Sequence, residues 1–235
     1  MADQFLLIIL SATKNDKLPL QSSLIFIGDY KMLTLYYAPG ACSMASHIAL
    51  LENDLKFQLK KVNIQSHTTE DGKDFYTINP NGYIPSLQTE TGQTLSEGAA
   101  ILFYISEQSH KNLPMNTSDT FAKYRLQEWL TFISSELHKI LGAFFNKSLP
   151  NEYKKALAEK FSKRMNYLES VLSKSKFLLG EQFSVADAYC FTILNWLHNL
   201  ETGLQLNDWP HIKAYQNAVA TRPAVKAAMT AEGLL

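Results

Sequence analysis

Cys42 is the first side chain in this sequence placed for chemistry. It follows Pro39-Gly40, between an apolar run of strand length, Leu33–Tyr37, and a stretch, Met44–Glu52, with apolar residues at helical spacing. A thiol at the first turn of a helix faces unpaired N–H groups and the positive end of the helix dipole, and both favour a thiolate. The competing reading is a small buried hydrophobe. A second stretch is Gly82-Tyr83-Ile84-Pro85. A proline just before a strand cannot donate to a ladder. With a cis bond, the chain would turn sharply and leave the backbone of Ile84 open to an extended peptide pairing as an added strand. With a trans bond, it is a plain turn. The third is Ser96-Glu97-Gly98, which opens a predicted helix over Glu97–Gln108. The Ser96 hydroxyl and the first helical N–H groups could receive a carboxylate, and Glu97 could hold an ammonium. Together they suit an α-amino acid zwitterion, although the same residues also read as an ordinary cap with an acidic first turn. The fourth is His138, in Ser135-Glu136-Leu137-His138-Lys139. It could donate to a sulfur or titrate near neutrality, or be a solvent-facing or core histidine. His47, His67, His110, His198 and His211 show no metal-ligand spacing, and Cys190, beside Tyr189 and Phe191, reads as core.

The elements that must position these residues follow from hydrophobic periodicity. From Met32 the order is strand, helix and a second strand at Phe57–Ile64, then a polar, turn-rich stretch at Thr68–Lys73 and a helical turn near Asp74–Thr77. Ser86–Thr89 and Gln93–Leu95 flank Thr91-Gly92, a hairpin signal, and the helix Glu97–Gln108 closes the unit. A βαβ unit followed by a hairpin and a helix is an α/β layer structure. Asn112–Asp119 is a polar linker with a proline and marks a domain boundary. Beyond it the pattern is helical: Thr120–Phe145, Glu152–Ser173, a helix to Leu200 opened by Ser184-Val185-Ala186-Asp187, then His211–Thr221 and a last helix after Pro223. The division is therefore 1–31, an appendage; 32–111, α/β; and 119–235, all helical.

Composition narrows the function. The 235 residues, 46% hydrophobic and 19% charged, suit one large or two modest globular domains. Lys+Arg and Asp+Glu number 22 each, so the formal net charge is zero. No Lys/Arg-rich run offers a nucleic-acid or anionic-membrane surface. Two distant cysteines resemble neither a disulfide framework nor a zinc site, and a reducing cytosol fits them. Phe5–Leu10 is apolar but too short to span a bilayer, and no basic residue precedes it as in a signal peptide. Met32 would make a start codon for the fold. Deletion of 1–31 is expected to leave folding and activity intact, and aggregation or inactivity of the shortened chain would refute that.

The four stretches in this order resemble the glutathione transferases, and closely the bacterial beta class. The matching pieces are LYYAPGACSMASHIAL, INPNGYIPSL, LSEGAAI, EWLTFISSELHK, FSVADAYCF, RPAV and AEGLL, spread from Met32 to Leu235. The resemblance implies a thioredoxin-like N-terminal α/β domain, an all-α C-terminal domain and a homodimer. It implies glutathione as co-substrate without a metal, small hydrophobic electrophiles as acceptors, and a cytoplasmic setting. The family's cysteine near the glutathione sulfur falls on Cys42. The residue before its cis-proline, which pairs with the cysteinyl unit, falls on Ile84, ahead of Pro85. The pair holding the γ-glutamyl end falls on Glu97 and Gly98, with Ser96 beside them, and the histidine near the sulfur falls on His138. Ser135 and Thr131 fall near further ligand contacts. His67 stands where some members have a lysine that touches the tripeptide, and Thr131 where an asparagine can contact it, so weaker glutathione binding is expected.

A free thiol is only a few per cent ionised at pH 7, so an enzyme of this kind must favour the thiolate with hydrogen bonds and positive dipoles. The thiolate then attacks an electrophilic carbon in an apolar pocket supplied by the helical domain. Cys42 also permits a mixed disulfide with glutathione, and hence thiol–disulfide exchange or peroxidase activity. Ala45 stands where a Cys-x-x-Cys motif would need its second thiol, which argues against a dithiol oxidoreductase. The alternatives are a non-catalytic protein that binds glutathione or hydrophobic ligands, and a structural domain with a dead site.

Overall fold

The apolar run Leu33–Tyr37 becomes β1, the central strand of a five-stranded sheet. In the computed structural model, which describes residues 32–108 and 121–235, β1 pairs in parallel with β2 (Phe57–Asn63) and antiparallel with β4 (Ser86–Gln88). The parallel pair needs a crossover, which α1 (Ser43–Glu52) supplies. β5 (Thr94–Ser96) pairs with β4, and the two-residue β3 (Thr68–Thr69) with β2, both antiparallel. The order is β3-β2-β1-β4-β5. Strand alternation divides β1 between two faces. Leu33 and Leu35 join the main core with Met44, Ile48 and Ile101, while Tyr36 packs with Val62 and Phe75 on the other side. The expectations for 1–31 and for the Asn112–Asp119 linker lie outside the described residues.

Of the boundaries that differ from the sequence pattern, two near the site have a clear physical reason. β2 stops at Asn63, whose side-chain oxygen accepts the N–H groups of Gln65 and Ser66 and turns the chain before Ile64 can extend the ladder. The helix α2 (Gly98–Gln108) begins one residue late, because Glu97 adopts φ +68°, the left-handed region that helices exclude.

In the second half, α3 (Ala122–Phe132), a six-residue π-helical segment (Ile133–His138) and α4 (Lys139–Ala143) run on as one rod. α5 (Asn151–Leu172) buries Phe161, Met165, Leu168 and Leu172, the spacing its sequence predicts. α6 (Val185–Asn195) is buried from Val185 to Leu194 and packs against α1, α2, α3 and α7, which explains why it is apolar all round. It ends in a single 3-10 turn, Trp196–His198, short of the predicted Leu200. α7 (Pro210–Ala220) and α8 (Pro223–Ala231) each open on a proline, whose missing N–H would be unpaired there in any case.

The Ser-x-x-Asp signal before α6 forms a capping box around a fully buried carboxylate. Asp187 accepts the backbone N–H groups of Leu178 (2.9 Å) and Ser184 (2.8 Å), the Ser184 hydroxyl (2.8 Å) and the Tyr215 hydroxyl (3.1 Å).

Between the sheet and the helical half, the loop ahead of α1 is held by distant residues. The N–H of Gly40 donates to Oε2 of Glu232 (2.9 Å), and its carbonyl accepts from Nε1 of Trp196 (3.0 Å). The other oxygen of Glu232 meets Nδ1 of buried His47 at 2.9 Å. Arg222 grips Glu52 with two hydrogen bonds, of 2.6 and 2.7 Å, at the same junction.

Candidate active site

A cavity of about 490 Å³ opens where the sheet domain meets the rod and α6. Cys42, Ile84, Pro85, Ser96, Glu97, Gly98 and His138 all line it. Four stretches scattered over nearly a hundred residues of sequence thus reach one cleft, because β1, β4 and β5 end side by side and His138 approaches from the facing rod. The Ile84–Pro85 bond is cis.

The Cys42 thiol donates to the carbonyl of Ile84 at 3.4 Å. Burial pushes its pKa up to about 11. The N–H groups of Cys42 and Ser43 act in the opposite direction, and the Glu97 carboxylate adds to the rise. This corrects the expectation of a thiolate favoured by the helix N-terminus: α1 does present its first N–H groups to the sulfur, but desolvation outweighs them. At pH 7 only about one Cys42 in ten thousand is ionised, so the group is a hydrogen-bond donor. Alkylation by iodoacetamide is therefore expected to be slow at pH 7 and to rise about tenfold per pH unit up to pH 10, because the thiolate fraction does. Mass spectrometry of the Cys42 peptide reads the rate, and a plateau below pH 9 would contradict the assignment.

At the other end of the cleft, α2 presents its first turn, where N–H groups lack intrahelical partners. The side chain of Glu97, the left-handed cap residue whose carbonyl accepts the Ile101 N–H (2.9 Å), has no hydrogen-bond or ion-pair partner among the described residues. A Cβ at Gly98 would meet only ordinary contacts, 3.8 Å from Cγ of Pro85 and 3.9 Å from the Tyr189 hydroxyl. Neither residue is thus explained by packing alone. Glu97 combines backbone strain with an exposed acidic side chain that lines the cleft.

His138 places Nδ1 2.7 Å from the Tyr189 hydroxyl and packs edge-on against Trp196, with ring centroids 5.1 Å apart. Burial, with a smaller contribution from Lys139, lowers its pKa to about 4. It is neutral through the physiological range and does not titrate near neutrality as its residue type suggests.

The π-helical segment decides which other residues reach the cleft. Its wider turn shifts the helix face by comparison with a regular α-helix. Ser134 lines the cavity with His138, whereas Thr131 and Ser135 do not, and the Ser135 hydroxyl bonds back to the Thr131 carbonyl at 2.9 Å. His67 also stands away from the lining. It has φ +51°, hydrogen-bonds the Gly82 carbonyl through Nδ1 (3.1 Å) and packs against Tyr76, so it shapes the loop before Ile84.

Sequence reasoning missed the loop's internal brace, Asn79. Its amide donates to the Tyr83 carbonyl (2.7 Å) and the Ser86 hydroxyl (3.1 Å), and its oxygen accepts the Asn81 N–H (3.1 Å). Asn-Pro-Asn-Gly was visible only as a turn signal. Also missed were Tyr189, read as a neighbour of a core cysteine, and Lys139, Gly142 and Ala143 on the rod. Among the described residues, no cluster of three or more His, Cys, Asp or Glu could hold a metal ion, and no helix is long and apolar enough to cross a membrane.

Comparison with known proteins identifies the family. Residues 31–107 match the model of the glutathione S-transferase N-terminal domain, and residues 132–223 that of its C-terminal domain. Glutathione S-transferase GstA of Escherichia coli O157:H7 is 36% identical over 202 residues, which cover 86% of this chain and all of that protein. A glutathione transferase from Methylococcus capsulatus superposes with a TM-score of 0.83 at 43% identity, covering 87% of this chain and all of that one. The bacterial beta-class glutathione S-transferase of Sphingomonas chungbukensis does so with 0.80 at 37% identity, covering 86% and 100%. The chain belongs to the glutathione S-transferase family.

Proposed function

We propose that this protein is a glutathione transferase that joins the glutathione sulfur to small hydrophobic electrophiles in the cleft between its two halves. The observation that carries the reading is the convergence of Cys42, Ile84-Pro85, Ser96–Gly98 and His138 on one cavity. Glutathione is an extended tripeptide with a zwitterionic γ-glutamyl head. The head meets the α2 N-terminus through its carboxylate and Glu97 through its ammonium. The cysteinyl unit runs along the backbone of Ile84, and the sulfur lies between Cys42 and His138. The working unit is a homodimer in the cytoplasm, with a glutathione domain over 32–111 and a helical domain over 119–235 that forms the electrophile pocket.

In this arrangement the protein favours the glutathione thiolate by hydrogen bonds and by the N-terminus of α1. The Cys42 S–H is one donor, since the thiol stays protonated. Neutral His138 is a second polar neighbour, a donor or an acceptor according to its tautomer. The thiolate attacks the electrophilic carbon, the C–S bond forms, and the leaving group departs with the bond's electrons. The thiol proton passes to solvent. The test is conjugation of glutathione to 1-chloro-2,4-dinitrobenzene, in which chloride leaves. A glutathione-dependent rate is expected, and folded protein with none would remove this substrate class. Exchange through a Cys42–glutathione mixed disulfide is a slower activity at neutral pH that strengthens as the thiol ionises. Cys42→Ser is expected to abolish that adduct by intact mass, and an adduct that persists would place the exchange elsewhere.

A further inference from the structure

The cleft contains a buried phenol that neither the glutathione contacts nor the core packing accounts for. Tyr189 is 3% exposed, yet its hydroxyl reaches the cavity wall beside Gly98 and lies 2.7 Å from Nδ1 of His138. We propose that Tyr189 is a positioning residue: its phenol donates to Nδ1 of His138, holds the imidazole in the tautomer protonated at Nε2, and so makes the ring a hydrogen-bond donor to the substrate sulfur.

A neutral imidazole has one donor and one acceptor, and what faces Nδ1 decides which nitrogen is which. His138 is neutral above about pH 4, and burial keeps the Tyr189 phenol protonated. The other polar neighbour of the phenol oxygen is the Ser134 hydroxyl, which can donate to it or accept from it. A phenol is a stronger donor than an imidazole N–H, and an imidazole nitrogen a stronger acceptor than a phenol oxygen, which favours the 2.7 Å contact as O–H to Nδ1. If Nδ1 carried the proton instead, the phenol would accept from it and turn its own O–H to Ser134, exchanging the strong O–H to nitrogen bond for a weaker N–H to phenol contact. Tyr189 O–H to His138 Nδ1 is therefore the favoured direction, and the Ser134 hydroxyl can donate to the phenol oxygen behind it. The edge-on contact of Trp196 fixes the plane of the imidazole, and the phenol fixes its proton. Nε2 has no partner among the described residues and is left for the ligand. With Cys42 also protonated, the sulfur would meet two neutral donors and no general base.

The catalytic part rests on the glutathione reading, but the tautomer does not, so the test separates them. In the full-length protein without glutathione, long-range ¹H–¹⁵N spectra of ¹⁵N-histidine-labelled samples report which ring nitrogen of His138 is protonated. The Nε2–H form is expected in the wild type, and a mixture of both forms in Tyr189→Phe, which keeps the ring volume. With glutathione bound, Tyr189→Phe is expected to raise the thiol pKa, read by thiolate absorbance near 240 nm, by about one unit. The kcat at pH 6.5 falls about tenfold in parallel, while the glutathione KM stays within about twofold. In a His138→Ala background, Tyr189→Phe adds nothing to either effect. An Nδ1–H tautomer in the wild type overturns the proposal whether or not the protein conjugates glutathione and whether or not the variant folds. An unchanged tautomer in Tyr189→Phe, or the same loss in the His138→Ala background, also overturns it.

Discussion

Glu97→Gln is expected to raise the glutathione KM roughly ten- to a hundredfold with kcat largely kept. A hydrogen bond to a charged group is worth about 1.5–3 kcal/mol, and each 1.4 kcal/mol is tenfold in affinity. The wild-type carboxylate has no partner of its own among the described residues, so no internal ion pair competes with a ligand ammonium. Glutamine has nearly the same shape and leaves the backbone at φ +68° as it was, so the substitution removes charge and little else. Glutathione acetylated on its α-amino nitrogen provides the matching control. It should bind the wild type more weakly by a similar factor and bind Glu97→Gln no worse than glutathione itself does. Steady-state kinetics with both thiols reads the result. Equal KM values for wild type and variant would remove Glu97 from the γ-glutamyl contact.

The second large effect is on stability. Asp187→Ala is expected to cost about 3–5 kcal/mol, because it leaves the N–H groups of Leu178 and Ser184 and the hydroxyls of Ser184 and Tyr215 with an empty space where their acceptor was. For a chain of this length the melting temperature should fall by roughly 6–20 °C. Asp187→Asn keeps one acceptor oxygen and should fall between the two. Calorimetry decides it, and a change under about 1 kcal/mol would mean that water or neighbouring groups replace the carboxylate.

Much of the fold was readable because its signals are local. Pro39-Gly40 ends β1, Thr91-Gly92 turns the hairpin, and Ser184 with Asp187 opens α6. Each depends on residues within a few positions of one another. Cys42, Pro85 and Glu97 were legible for the same reason, since each stands at the edge of an element. What the sequence hid depends on contacts between remote segments. Tyr189 acts on a histidine 51 positions away, and nothing in Asp187–Phe191 distinguishes its ring from a core aromatic. The rise in the Cys42 pKa comes from burial in the folded molecule, which local helix-end reasoning cannot include. The choice of Ser134 over Ser135 follows from a π-turn, which the apolar spacing of Trp129, Phe132, Ile133 and Leu137 does not reveal.

The peptide of Gly40, gripped on one side by Glu232 and on the other by Trp196, makes the two halves poor candidates for exchange. A chimera that joins this sheet domain to a foreign helical partner would retain its cysteine, its proline and its acidic anchor. It would lose both tethers on the turn two residues ahead of the thiol, so recombination between family members would have to carry the carboxyl-terminal residues and the indole along with the site they steady.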